Sequence, residues 1–232
     1  MKPVAIFRHA RTEGAGFFSD FLNESGIPWQ LFRVDEAESV PASAGSFSGL
    51  VFMGGPMSVN DDLPWISPAL DLIRDAVSKE VPVLGHCLGG QLMAKALGAK
   101  VGRNRAREIG WGRVEVLGET EKWFGGMQDF EAFHWHGETF EIPQGAIRLL
   151  SSRWCDNQAF SYGPHLGLQC HVEMKGEMVR QWCETGKDEI LEHLGQSVQS
   201  ADEMQRSLDD RIAILNGVAR HIYGAWIDNL VK

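Results

Sequence analysis

Within the 232-residue chain, the segment best suited to covalent chemistry is Gly85-His86-Cys87-Leu88-Gly89-Gly90-Gln91. An apolar run from Val81 to Leu84 precedes it and reads as a strand; the run from Gln91 to Leu97 that follows reads as a helix. A cysteine at such a strand-to-helix turn is forced into a strained backbone conformation, and its glycine neighbours leave room for the chain to pass. The helix would direct free N–H groups and a partial positive charge at the sulfur, which favours thiolate, the reactive form. The N–H of Leu88 would then face the oxygen of a carbonyl under attack. The competing interpretation is a buried structural cysteine beside a tight turn, which is what most free cysteines are.

A second segment, Gly167-Leu168-Gln169-Cys170-His171-Val172-Glu173, supplies the partners such a thiol needs. In a strand, Gln169, His171 and Glu173 share one face, while Leu168, Cys170 and Val172 turn to the core. A nucleophilic cysteine needs a histidine to take its proton and a carboxylate to orient that histidine. His171 and Glu173 fit these roles from one strand end.

The surrounding pattern is that of an α/β protein. Val4–Phe7, Trp29–Val34, Leu50–Met53 and Val81–Leu84 read as strands; Gly16–Ser25 and the run carrying Ile66, Leu70, Ile73 and Val77 read as helices. Residues 39–46 read as loop. Short apolar strands alternating with helices predict a doubly wound, mostly parallel sheet covered on both faces. From about Gly110 shorter strands follow at Arg113–Leu117, Phe130–Trp135, Ile147–Ser151, Gln158–Ser161 and Leu166–Val172. The end of the chain is helical: Ser200 and Glu203 fit a capping box, and Met204, Leu208, Ile212, Leu215, Val218, Ile222, Trp226 and Leu230 recur at spacings of 3 or 4. That stripe reads as core packing, with a partner-binding face as the alternative.

Composition narrows the function classes. Hydrophobic residues make up 44% and charged residues 23%, ordinary for a chain that buries a real core. A formal charge of −9 without a Lys/Arg cluster argues against a phosphate backbone as partner. The cysteines (Cys87, Cys155, Cys170 and Cys183) form no Cys-x-x-Cys pair, and the run before Arg8 is too short for a signal sequence or membrane span. The expectation is a cytoplasmic protein without membrane or nucleic-acid partners. Gly54-Gly55 and the other glycines give no dinucleotide fingerprint after the first strand. His134-x-His136, with His171 or Glu138 as third ligand, is the one metal candidate; His171 is better used beside Cys87, and neither metal nor cofactor is expected.

The two segments together resemble the signatures of class I, triad-type glutamine amidotransferases, in particular the amidotransferase domain of GMP synthase and its stand-alone relatives. The resemblance covers about residues 3–175. It implies a flavodoxin-like α/β fold, one domain over 1–232 with a helical extension from about 176, and cleavage of the glutamine amide through a γ-glutamyl thioester. By resemblance Cys87 is the nucleophile, His171 the base and then acid, and Glu173 the orienter. Met53-Gly54-Gly55-Pro56 resembles the family's Gly-Gly-Pro loop, which makes Gly55 with Leu88 the oxyanion hole and Gly54 a substrate contact. Trp135-His136-Gly137-Glu138 resembles the segment whose backbone holds the α-amino and α-carboxylate groups, and Gln91 resembles a side-chain contact to substrate. Gly90 stands where many relatives carry His, and Val172 replaces the usual Pro. No synthetase pattern follows, so the acceptor for nitrogen stays open. A separate synthetase partner, a γ-glutamyl peptide or conjugate hydrolase, and a non-catalytic module on the same fold are the readings that remain.

Overall fold

In a computed structural model that describes residues 1–231, the apolar runs assemble into one nine-stranded sheet, ordered β2-β1-β3-β4-β9-β8-β7-β5-β6. Its parallel half comprises β1 (Val4–Arg8), β2 (Trp29–Arg33), β3 (Gly49–Phe52), β4 (Val83–His86) and β9 (His165–Leu168). Every residue of β3, β4 and β9 is buried, whereas the edge strand β2 is half exposed. That is the pattern expected when helices cover both faces of a parallel sheet. Helices α2 (Ile66–Ser78) and α3 (Leu88–Ala96) pack on one face with Phe7, Leu50, Phe52 and Val83. The other face holds Val4, Ile6, Val51 and Leu84, covered by α1 (Gly16–Glu24) and the long α8 (Leu208–Ile227). The expected doubly wound, mostly parallel core is therefore present.

The antiparallel half is β5 (Val101–Val116), β6 (Asp129–Phe140), β7 (Ile147–Ser152) and β8 (Ala159–Tyr162). Here the sequence-based boundaries fall short. β5 begins twelve residues before the expected Arg113, because its N-terminal half is polar and lacks an alternating pattern. Its pairing with β6 shifts between Arg103 and Glu108, and this irregularity carries residues 104–107 away from the ladder. The strand expected over Leu166–Val172 stops at Leu168; beyond it His171 pairs with Phe133 of β6 through an isolated bridge. The intended alternation survives, since Cys170 and Val172 are buried in the core. The loop expected over 39–46 contains a single 3-10 turn at Ala44–Ser46.

Residues after 175 are helical: α5 (Gly176–Thr185), α6 (Lys187–His193), α7 (Ala201–Gln205) and α8, with α4 (Thr120–Phe124) inserted earlier between β5 and β6. The capping box at Ser200 and Glu203 is formed, with Ser200 Oγ accepting from the Glu203 N–H. It opens only α7, because the single helix expected from Met204 to Leu230 breaks at Ser207, whose φ is 51°. Met204, Leu208, Leu215, Val218, Ile222 and Trp226 are buried, so the stripe is core packing. Gly49 of β3 makes this possible: a side chain there would meet the Trp226 ring and Leu230. Among the described residues no helix is long and apolar enough to cross a membrane.

The first turn of α3 lies unusually close to the sheet. A methyl group on Gly89 would collide with the Phe52 carbonyl of β3, and one on Gly90 with the Leu168 carbonyl of β9. These are backbone obstacles that no rotamer change relieves. Gly90 is thus required by this contact. Gly89→Ala is expected to destabilise the protein by about 3 kcal/mol, the upper end of overpacking costs. A urea unfolding curve checks this; an unchanged midpoint would show that α3 can back away from β3.

Candidate active site

The end of β4 and the start of α3 fix Cys87 in a conformation few residues tolerate, φ 49° and ψ −104°. Its N–H donates to the Leu168 carbonyl at 2.8 Å, and its own carbonyl accepts the Gln91 N–H at 3.0 Å. The elbow is thus tied both to the end of β9 and to its own helix. The thiol is buried but lines an open cavity of about 830 Å³ with Gly55, Gln91, Trp135, His136, Gly137 and His171. Leu88 is the first residue of α3, so its N–H lacks an intrahelical acceptor. Gly55 has no room for a side chain, because one would meet Met57 Sδ and Leu88 Cδ2.

His171 and Glu173 are almost wholly buried, and His171 Nδ1 stands 2.6 Å from Glu173 Oε1. Burial by itself would lower the pKa of His171. The Glu173 carboxylate and a thiolate at Cys87 outweigh it and raise that pKa well above the usual 6.5. Burial likewise pushes Glu173 up, but His171 and then His86 pull its carboxyl down to about 2. His171 Nε2 has no hydrogen-bond partner among the described residues, so the nitrogen that would exchange a proton with Cys87 or a substrate is free. The Trp182 ring stands edge-on to His171 at 5.0 Å and limits its rotation. This arrangement can hold a thiolate beside a protonated imidazole.

The structure brings together the residues expected from sequence, with one change of surroundings. Gln91 is buried and donates from Nε2 to Gln169 Oε1 at 3.1 Å, and Gln169 Nε2 donates in turn to Cys87 Sγ at 3.5 Å. Trp135 presents its carbonyl 3.9 Å from Cys87 Sγ, while its indole N–H donates to Glu189 of α6 at 2.8 Å. Glu189 also pairs with Arg107. Gly54 lies behind the cavity wall against Glu13 and His171. His136 differs from its neighbours: its ring is engaged by Glu108 at 3.2 Å and by the Glu138 carbonyl at 3.0 Å. The side chain braces the 135–137 segment, and the backbone there faces the cavity.

One buried group, Glu108, His136 and Cys155, has donor atoms within 4.8 Å of one another. The carboxylate already accepts from Ser152 Oγ at 2.8 Å and Gln158 Nε2 at 2.7 Å, and burial pushes the Cys155 thiol up to about 11. A metal there would have to displace these hydrogen bonds and deprotonate a disfavoured thiol. The candidate pair His134 and His136 has ring centroids 5.9 Å apart, with Gln158 Nε2 between them at 3.3 and 3.4 Å.

Three site residues escape a reading of the sequence alone. His86 stands behind Glu173, its Nε2 3.8 Å from Glu173 Oε2 and 3.1 Å from the hydroxyl of Tyr223 on α8. Burial lowers the His86 pKa, and the Glu173 carboxylate beside it acts in the opposite direction. Glu13, in the loop after β1, lines the cavity as well. Its signal was topological: sites in open α/β sheets lie beyond the carboxyl ends of the strands.

The family model described as glutamine amidotransferase class-I matches residues 19–219. A glutamine amidotransferase crystal structure from Methylobacillus flagellatus superposes with a TM-score of 0.97 at 46% identity, covering 100% of this chain and 96% of that one. The glutamine amidotransferase-like protein YfeJ of Salmonella typhimurium is 29% identical over 85% of this chain and 87% of its own. Gamma-glutamyl peptidase 3 of Arabidopsis thaliana is 28% identical over 71% of each chain. The glutamine-hydrolysing GMP synthase of Lacticaseibacillus casei is 32% identical over 71% of this chain, which is 30% of the synthase.

Two pH-dependent outcomes follow from the buried pair. Glu173 is depressed below the usual 4.5, so the stability it contributes is present above that value and is lost as pH falls from 4.5 towards 2. Glu173→Gln should flatten this part of the acid unfolding profile; a profile as steep as the wild type would assign the acid lability to other carboxylates. His171 should titrate well above 6.5 by NMR and return towards it in Glu173→Gln, and an unchanged midpoint would show that Glu173 does not hold its proton.

Proposed function

This chain belongs to the class-I glutamine amidotransferase family, and we propose that it cleaves the γ-amide of glutamine through a thioester on Cys87. The observation that carries the proposal is a strained, cavity-lining thiol that shares its cavity with a histidine charged by a buried carboxylate. The thiolate of Cys87 attacks the γ-carbonyl, forming the C–S bond. The oxyanion is received by the N–H groups of Gly55 and Leu88. The C–N bond breaks as His171 Nε2 gives its proton to the nitrogen, which leaves as ammonia. Water then attacks the thioester, His171 takes its proton, and the C–S bond breaks to return glutamate and the thiol. Glu173 holds His171 in the protonatable orientation throughout. Gln91 and the 135–137 backbone would bind the rest of the substrate, whereas Gly54 stands back from the cavity surface beside Glu13.

A second reading is favoured by cavity size. About 830 Å³ is near the upper end of small-molecule sites and more than a free amino acid needs. Arg103 lines this cavity, exposed and with no hydrogen-bonding or ionic partner for its side chain among the described residues. A γ-glutamyl peptide or conjugate with an anionic leaving portion would use this space, and the named activity of the Arabidopsis relative supports that substrate class. A separate synthetase receiving ammonia is the third arrangement, supported by the synthase relative.

Cys87→Ala should abolish turnover of every γ-glutamyl compound. A diazo-ketone analogue of glutamine should label Cys87 and spare Cys155, Cys170 and Cys183, whose thiols burial pushes up. Steady-state release of ammonia from glutamine, set beside hydrolysis of γ-glutamyl dipeptides, decides between the readings. Efficient dipeptide cleavage with negligible glutaminase would replace the first reading by the second. Turnover that persists in Cys87→Ala would defeat both.

A further inference from the structure

Glu13 is a carboxyl group that the cleavage chemistry above does not use. It sits in the loop after β1, lines the cavity beside Thr12 and Gly55, and makes no side-chain hydrogen bond or ion pair among the described residues. Gly54 leaves space for it: a side chain at 54 would occupy the place of Glu13 Oε2, and the same point is 3.3 Å from His171 Cε1. The carboxyl and the His171 ring, whose Nδ1 is bound to Glu173 and whose Nε2 is free, therefore both border the small space that Gly54 leaves open. Nε2 is where a departing nitrogen receives its proton and where an attacking nitrogen loses one. An unpartnered carboxylate bordering the same space is close enough to the ring to meet that nitrogen.

We infer that Glu13 forms an amine-binding subsite on the leaving-group side of Cys87 and His171, taking a primary amine as leaving group or as acceptor for the γ-glutamyl group. The inference rests on the proposed roles of Cys87 and His171. It adds a second fate for the thioester besides hydrolysis. The amine nitrogen attacks the γ-carbonyl and forms a C–N bond while the C–S bond breaks. The proton shed by nitrogen passes to His171 Nε2 and on to the Cys87 sulfur. Glu13 accepts a hydrogen bond from a second N–H of the amine and points its lone pair at the carbonyl. Burial holds the Glu13 carboxyl at about 7, with His171 lowering and Glu173 raising it, so the charged form is present at mildly alkaline pH.

The first test does not depend on turnover. Wild type, Glu13→Gln and Glu13→Ala are treated at pH 8 with a cationic methanethiosulfonate bearing an ethylammonium group and with the neutral methyl reagent, and modification of Cys87 is followed by mass spectrometry. The preference for the cationic reagent should fall about fivefold or more in both variants, the order expected of a unit charge acting across a few ångströms of a wet site. An unchanged preference would overturn the inference, as would an equal loss of both rates, which would make Glu13 a support for His171 alone. If neither reagent reaches Cys87, no amine reaches Glu13 and the inference fails. The second test supplies a γ-glutamyl substrate with methylamine and measures the ratio of γ-glutamyl transfer to hydrolysis, which should fall by a similar factor in Glu13→Gln. A chain that turns over no γ-glutamyl compound but keeps the charge-dependent labelling would defeat the proposed function while leaving the amine subsite in place.

Discussion

The site depends on the conformation of one residue. Cys87 is held at positive φ by hydrogen bonds on both sides of its peptide unit, to the end of β9 and to the second turn of α3. Such a conformation costs about 1–3 kcal/mol and persists only where the surroundings over-determine it. Here they do so by removing side chains. Gly85, Gly89 and Gly90 let the first turn of α3 rest on the carbonyls of Phe52 and Leu168, close beside the elbow. The same close approach starts α3 directly after the sulfur-bearing residue, so the unpaired N–H groups and positive end of the helix lie at Cys87.

A buried charge set is built around that elbow, and the C-terminal helices complete it. Glu173 faces His171 on one side and His86 on the other, and Tyr223 of α8 closes the row by hydrogen-bonding His86. The backbone of Glu173 also receives the Phe17 N–H at the start of α1. A carboxylate this deep is tolerable only with such partners, because removing one would leave an uncompensated charge. The helices after residue 175 therefore do more than cover apolar surface. α8 supplies Tyr223, α5 supplies Trp182 against His171, and α6 supplies Glu189 to Trp135. The cavity wall is assembled from both the sheet and this extension.

Much of the site was legible because chemistry and steric need coincide in short segments. Glycines around Cys87 are demanded by the elbow, and the alternation of Gln169, His171 and Glu173 with buried Cys170 and Val172 sorts polar from core residues even past the end of β9. The parallel strands were legible because full burial leaves continuous apolar runs. What was not legible depends on contacts distant in sequence. The polar first half of β5 is a strand only because β6 pairs with it, and Ser207 breaks the last helix without a proline or glycine to announce it. His86, Tyr223 and Glu13 carry no local pattern; they matter because Glu173 and His171 happen to lie next to them in space. The sequence does not show that the His136 ring serves Glu108 and the neighbouring backbone, because Glu108 meets it across the β5–β6 pairing.

The central claim is that the strained thiol at residue 87 becomes an acyl carrier when its cavity is filled. Mixing the wild-type chain with glutamine or a γ-glutamyl dipeptide, quenching in acid within the first turnover and mapping the digest by mass spectrometry tests this directly. The account predicts one γ-glutamyl group added to the peptide that contains Cys87, removed by hydroxylamine as a thioester would be. Substrate cleaved with no adduct on that peptide, or an adduct on any other cysteine, would contradict it.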